Sequence, residues 1–287
     1  MNSVYNMRGG GEYVTPYTSL VYEDDSVHYN VFKAQLTLAN KRIITIPQNG
    51  NNTDSALTSA ETAEYKADIV DVAIGNRVKT LGNGVFLGCS KLENIDLPNS
   101  VKSINQNAFS YCRNLVNINI PSGVTSIGAS AFTNCSSITS ITIPSGLTSI
   151  GARTFYGCSS LTDIEIPSGV TNIGNSAFYG CSGLTSIIFN DVLLTISNSA
   201  FRNCSGLTSI ELPSSITSIE LYAFNGCTNL SSITVLATTP PTLGVNVFYV
   251  NASGRKIYVP QESVEAYKTA TNWSTYASAI LPIPNEL

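Results

Sequence analysis

From Ile69 onward the apolar and polar positions recur every 23 residues. The unit Leu161–Gly183, LTDIEIPSGVTNIGNSAFYGCSG, serves as a reference, numbered 1 to 23. Position 4 is Ile or Val in every copy: Val72, Ile95, Ile118, Ile141, Ile164, Ile187, Ile210 and Ile233. Position 13 is Leu81, then Ile104, Ile127, Ile150, Ile173, Ile196 and Ile219, and position 18 is always phenylalanine, from Phe86 to Phe224. Seven whole units run from Ile69 to Asn229, and an eighth opens at Leu230. A fixed period of this size predicts a solenoid in which each unit is one coil stacked on the last.

Within a unit, Leu-x-x-Ile-x-Ile at positions 1 to 6 predicts a strand, because β-branched residues favor extended chain. Proline at position 7 (Pro98, Pro121, Pro144, Pro167, Pro213) cannot donate to a ladder and ends it. A second extended run covers positions 10 to 13. Glycine at position 14 (Gly82, Gly128, Gly151, Gly174) permits a bend, and SAFYGC closes the coil in a tight turn or short helix. Positions 1, 4, 6, 10, 13, 17, 18 and 21 are expected to face inward.

Position 21 holds every cysteine of the chain: Cys89, Cys112, Cys135, Cys158, Cys181, Cys204 and Cys227. Coils stacked at roughly 4.8 Å would line the thiols up in a column. That spacing is too wide for a disulfide, whose Cβ atoms sit about 3.8 Å apart. A straight column also offers no point of convergence for a tetrahedral metal, and the one histidine is His28. The expected role is structural, as small apolar filler.

These units resemble the BspA-like leucine-rich repeats: Leu-x-x-Ile-x-Ile-Pro, Val-x-x-Ile-Gly-x-x-Ala-Phe and x-x-Cys match nearly letter for letter from Ile69 to about Val235. Lys256–Ile283 resembles the C-terminal cap common in that family. The resemblance implies a right-handed leucine-rich-repeat solenoid and a surface protein of mouth or gut bacteria, or of some protozoa, several of which adhere to host proteins or to other cells. One copy departs at both landmarks, with Asn190 in place of proline and Ser197 in place of glycine.

The chain reads as three parts: a non-repeat segment 1–68, the solenoid 69–235 and a C-terminal cap 236–287. In the first, Thr18–Tyr22 and Val27–Asn30 read as two strands joined by an acidic turn at Glu23–Ser26. Thr58 and Glu61 stand at capping-box spacing before a short helix. TPYTSLVYEDDSVHYN also resembles a hairpin in proteins of phages that infect gut bacteria. The segment is expected to cap the solenoid or to dock it on a partner.

A net charge of −4 over 287 residues, with pI near 5.0, argues against nucleic acid as partner. No run of 18 apolar residues predicts a membrane span, and the start shows no secretory pattern. Either a signal has been trimmed, or the protein reaches its destination by another route. A lone histidine leaves no Ser-His-Asp or Cys-His pair, and MRGGGEY lacks the Lys-Ser/Thr of a phosphate loop. No enzyme activity, metal or cofactor is expected. The sequons at Asn251 and Asn272 would matter only in a glycosylating host.

The extended candidate surface is the concave sheet, at positions 2, 3 and 5. It presents Asp71, Asp96, Asn119, Thr142, Asp163, Glu165 and Glu211 as candidate binding residues, with no aromatic, lysine or arginine among its neighbors. Such a strip suits a basic protein patch or a glycan; equally, it merely solvates a sheet buried on its other face. Tyr111, Tyr156 and Tyr179 at the turns, and Tyr258, Tyr267, Trp273 and Tyr276 near the end, are alternative contacts or cap core. The expectation is a non-enzymatic recognition or adhesion protein, extracellular on a bacterial surface. The alternative is a phage fiber or decoration protein docked through residues 1–68.

Overall fold

A computed structural model describes residues 21–23, 26–28, 32–47 and 56–284. It is a repeat solenoid built from parallel strands. Coil 1 begins at Ile69, and steps of 23 residues carry coils 2 to 7 to Asn229. Positions 3 to 5 form a front ladder and positions 12 and 13 a back ladder, paired in parallel and in repeat register: Asp163↔Ser186 and Ile164↔Ile187 in front, Asn172↔Thr195 and Ile173↔Ile196 behind. Both ladders lapse at coil 4. No strand covers Ile138–Ile143, and Ser126–Ile127 and Ser149–Ile150 belong to separate sheets.

The core runs through that lapse without a break. Phenylalanine rings at position 18 stack coil on coil, with centroids 5.3 Å apart for Phe109–Phe132, 5.6 Å for Phe132–Phe155 and 5.2 Å for Phe155–Phe178. These spacings slightly exceed the strand spacing, and nearly parallel rings at such distances attract beyond their buried area.

The closing segment is neither helical nor an ordinary turn. It is a third ladder, in which the N–H groups of positions 16, 18 and 20 donate to the carbonyls of positions 15, 17 and 19 in the next coil. In coil 5 these are Ser176 to Asn198 at 2.9 Å, Phe178 to Ala200 at 2.7 Å and Gly180 to Arg202 at 2.8 Å. Aiming every N–H one way requires left-handed backbone at positions 16 and 20: Ser176 has φ 54°, Arg153 55° and Tyr111 63°. Each such non-glycine residue costs roughly 1–2 kcal/mol, which the inter-coil hydrogen bonds offset.

The N-terminal edge is covered. Phe32–Leu38 lies antiparallel to Ile69–Ile74 on one side and to Ile43–Pro47 on the other. Behind it, Ala56–Leu57 starts the back ladder against Thr80–Leu81. Ser59–Thr62 forms the expected short helix: Glu61 accepts from the Thr58 N–H and hydroxyl, both at 2.8 Å. The expected hairpin is present over Val21–Glu23 and Ser26–His28, closed by the Glu23↔Ser26 pair. Thr18–Leu20, Tyr29–Asn30 and MRGGGEY lie outside the described residues.

At the other end the repeat runs on past Val235. Lys256–Val259 pairs in parallel with Ser232–Val235, and Ile280–Pro282 pairs with Lys256–Val259. Ile257 and Ile280 keep the 23-residue step. One extra residue places Phe248, not residue 247, over Phe224, at 5.9 Å. That insertion and the loss of cysteine at position 21 hide the eighth coil in the sequence. Its successor is capped by the helix Val264–Thr269 and a 3-10 segment, Trp273–Ala279.

Candidate functional site

Two surfaces and one buried column hold the functional candidates. On the front strip, Asp96, Glu165 and Glu211 are exposed, as strand alternation dictates, and Asn119 and Thr142 are exposed at the lapse in the ladder. Asp71 is half-buried and accepts from the Asn94 amide at 2.9 Å, while Asp163 accepts from the Thr162 hydroxyl at 2.8 Å. Ala73, nominally an outward position, is buried because Gln35 of the cap strand pairs with it. Asp96 and Asn119 share an open cleft of about 580 Å³ with Asn76, Asn99 and Ser100. The remaining candidates are strung along coils 1, 4, 5 and 7 instead of converging. Beyond Glu211 the strip changes sign, since the same positions carry Arg255, Lys256 and Tyr258. Sequence reading missed this rung for want of its register.

Coil 6, the divergent copy, is repaired by side chains. The Asn190 amide donates to the carbonyls of Pro167 and Val170, and its oxygen accepts from the Val192 N–H, which recreates the missing proline turn. Phe189 packs edge-on to Phe201 at 5.8 Å, and Ile188 stands exposed at 59%.

The turn edge gathers the aromatic and cationic side chains that the front strip lacks through coil 8. Tyr156 and Tyr179 stack at 4.8 Å. The Arg202 guanidinium lies 5.9 Å from the Tyr179 ring and 5.1 Å from that of Tyr222. Asn203 donates to the Tyr179 hydroxyl at 3.1 Å. A second cleft, of about 380 Å³, opens here between coils 2 and 4, lined by Asn107, Ser110, Tyr111, Ser130, Thr133, Asn134, Arg153 and Tyr156.

Tyr267, Trp273 and Tyr276 are cap core, whereas Tyr258 is half-buried. Tyr267 donates to the Ala237 carbonyl at 2.7 Å and Trp273 to that of Pro241 at 2.8 Å. Both sequon amides are internal donors too, Asn251 to Phe224 at 2.8 Å and Asn272 to Leu243 at 2.6 Å.

The seven thiols are free and fully buried. They do more than fill space. From Cys112 onward each donates to the carbonyl of the preceding coil's phenylalanine, for example Cys135 to Phe109 at 3.0 Å and Cys181 to Phe155 at 3.1 Å. Burial pushes the Cys158 and Cys227 thiols up to about 12, and those of Cys112, Cys135, Cys181 and Cys204 well above the usual range. Such thiols stay protonated at neutral pH and are poor nucleophiles. No helix among the described residues is long and apolar enough to cross a membrane.

A leucine-rich repeat protein of T. pallidum, TpLRR, is 32% identical over 56% of this chain and 78% of its own, with a TM-score of 0.53. A leucine-rich cell surface protein of Faecalibacterium prausnitzii is 21% identical, over 94% of this chain and 93% of its own, with a TM-score of 0.44. The pneumococcal vaccine antigen PcpA is 19% identical over 74% and 66%, with a TM-score of 0.43. No curated protein matches the chain. The BspA-type leucine-rich repeat model matches residues 60–171 and 148–274, in six copies. Members of that family are commonly surface and adhesion proteins, and leucine-rich repeats are generally non-enzymatic scaffolds that bind proteins. With that match spanning well over half of its length, the chain belongs to the BspA-type leucine-rich repeat family.

Proposed function

We propose that the chain is a non-enzymatic recognition protein that adheres to a partner by surface complementarity, displayed outside the cell on a bacterial surface or on a phage particle. The observation that supports this reading is the front strip. Asp96, Asn119, Thr142 and Glu165 are exposed on coils 2 to 5 and Glu211 on coil 7 of a stacked scaffold, with Ile188 between them on coil 6. A scaffold that fixes such groups in advance reduces the ordering cost of binding. The strip is complementary to a basic protein patch, with amides and hydroxyls free of strong directional demands between the carboxylates. The test is adhesion to immobilized host-matrix and bacterial surface proteins, comparing the parent with the triple variant Asp96→Lys, Glu165→Lys, Glu211→Lys. Adhesion should fall in the variant and weaken with salt in the parent. Equal adhesion by both, indifferent to salt, would overturn the reading.

A further inference from the structure

The turn-edge cleft is a gap in a column of rings. Position 19 carries Tyr179 in coil 5 and Tyr156 in coil 4, their planes 4.8 Å apart at the centroids and 6° from parallel. Coils 3 and 2 hold Thr133 and Ser110 there, side chains too small to continue the stack. The volume they leave is the cleft of about 380 Å³, which Tyr156 lines and Tyr179 does not. Tyr156 therefore has one face on Tyr179 and turns its other side to the gap. The lining residues are polar: Asn134, Tyr111 and Arg153, with Ser110 and Thr133 buried beneath, the Thr133 hydroxyl donating to the Arg153 carbonyl at 2.8 Å. No carboxylate lines the cleft, although the chain is acidic overall.

We propose that this cleft binds a pyranose ring bearing a carboxylate, seated on the open face of Tyr156 where a fifth-coil-like rung is missing. The volume falls within the usual range for a small-molecule site, roughly 300–1,000 Å³. The C–H face of a sugar is apolar and suits the tyrosine ring, while its hydroxyls match the amide of Asn134 and the phenol of Tyr111. A phenylalanine side chain in the same place would strip water from those groups and return no hydrogen bonds. The carboxylate goes to Arg153, whose planar fork pairs with it in bidentate fashion. This deepens the reading of the chain as a recognition protein and adds a glycan site on a different edge from the front strip.

The experiment is ligand-observed saturation-transfer NMR with titration calorimetry on the full chain, using methyl glucuronide, methyl glucoside and acetate as probes. Saturation should reach the ring protons of the glucuronide, and acetate should show none. Arg153→Gln should weaken glucuronide binding about tenfold, toward the level of the neutral glucoside. Thr133→Tyr supplies the missing rung, as Tyr156, Tyr179 and Tyr249 do in their coils, and should abolish binding. Tyr156→Ala provides a second loss by the opposite change. The front-strip triple variant should bind glucuronide like the parent, so failure of one reading is separable from failure of the other. Lack of transfer to glucuronide, equal transfer to acetate, or undiminished binding in a folded Thr133→Tyr or Tyr156→Ala protein would overturn the proposal.

Discussion

The Asn251 amide donates to the Phe224 carbonyl at 2.8 Å, the relationship that Cys227 bears to Phe201 one coil earlier at 3.1 Å. Position 21 thus demands a small side chain with a hydrogen to give, and cysteine is the usual choice because it remains apolar elsewhere. Asn251 also carries an oxygen, Oδ1, that is buried with no hydrogen-bond partner.

Asn251→Cys should therefore stay within about 1 kcal/mol of the parent, since the lost contact to Cys227 is balanced by removal of the orphaned acceptor. Asn251→Ala should cost about 1–2 kcal/mol by leaving the Phe224 carbonyl short of a donor. Urea denaturation reads both. Equal losses would mean that hydrogen donation is not what this position supplies.

The thiol column sets an alkaline limit. In the folded chain Cys158 and Cys227 titrate near 12, against an ordinary 9.0. Because the folded values are raised, the unfolded chain releases these protons first. The stabilization is whole below pH 9 and is lost as pH climbs toward 12, at about 1.4 kcal/mol per pH unit for each thiol. The urea midpoint should be level up to about pH 8.5 and then fall steeply. Native protein should also resist alkylation at neutral pH, with all seven thiols reacting once unfolded. A midpoint independent of pH from 8 to 11 would contradict the column's burial.

Coils should be removable whole. Deleting 161–183 joins coil 4 to coil 6 with every ring and thiol in phase, and the product should melt cooperatively at a modestly lower temperature. Deleting 161–171 removes half a turn of chain and should leave no cooperative transition. Thermal melts followed by circular dichroism compare the two.

The N-terminal cap depends on one carboxylate. Glu61 accepts from Thr58 and also lies 2.9 Å from the Lys33 ammonium, which is 2% exposed. Glu61→Ala should cost about 2 kcal/mol, since it removes a cap acceptor and an ion partner of a buried cation together. Hydrogen exchange should speed up across Phe32–Leu38 and coil 1 while coils 7 and 8 keep their protection. Uniform acceleration along the chain would show that the cap is not a separate unit.

The period alone exposed the coil, its inward positions and the columns of Phe and Cys, because identical burial imposes identical residue types. It concealed the handedness of the turn edge: Ser130, Arg153 and Tyr222 all sit in left-handed backbone where glycine or asparagine would have announced it. Ala73 and Asp71 were expected in the open, but the strand Phe32–Leu38, from outside the repeat, pairs beside them, and no repeat can report such a contact. Lys256 and Tyr258 went unplaced because one added residue breaks the count. The gap beside Tyr156 was legible only as a run of Ser110, Thr133, Tyr156 and Tyr179 at one position, which acquires meaning once the rings are known to stack.

The third ladder also gives the molecule a direction. Its opening end presents oxygens, and the Thr62 hydroxyl meets the Val85 carbonyl there, with the Lys66 ammonium held alongside by the turn carbonyl of Gly84 at 2.8 Å. Its closing end presents hydrogens, and the Phe248 N–H finds the Tyr276 phenol oxygen at 3.2 Å. The two plugs are therefore chemically opposite and cannot be exchanged, and any end-to-end joining of two copies through this edge must run tail to head.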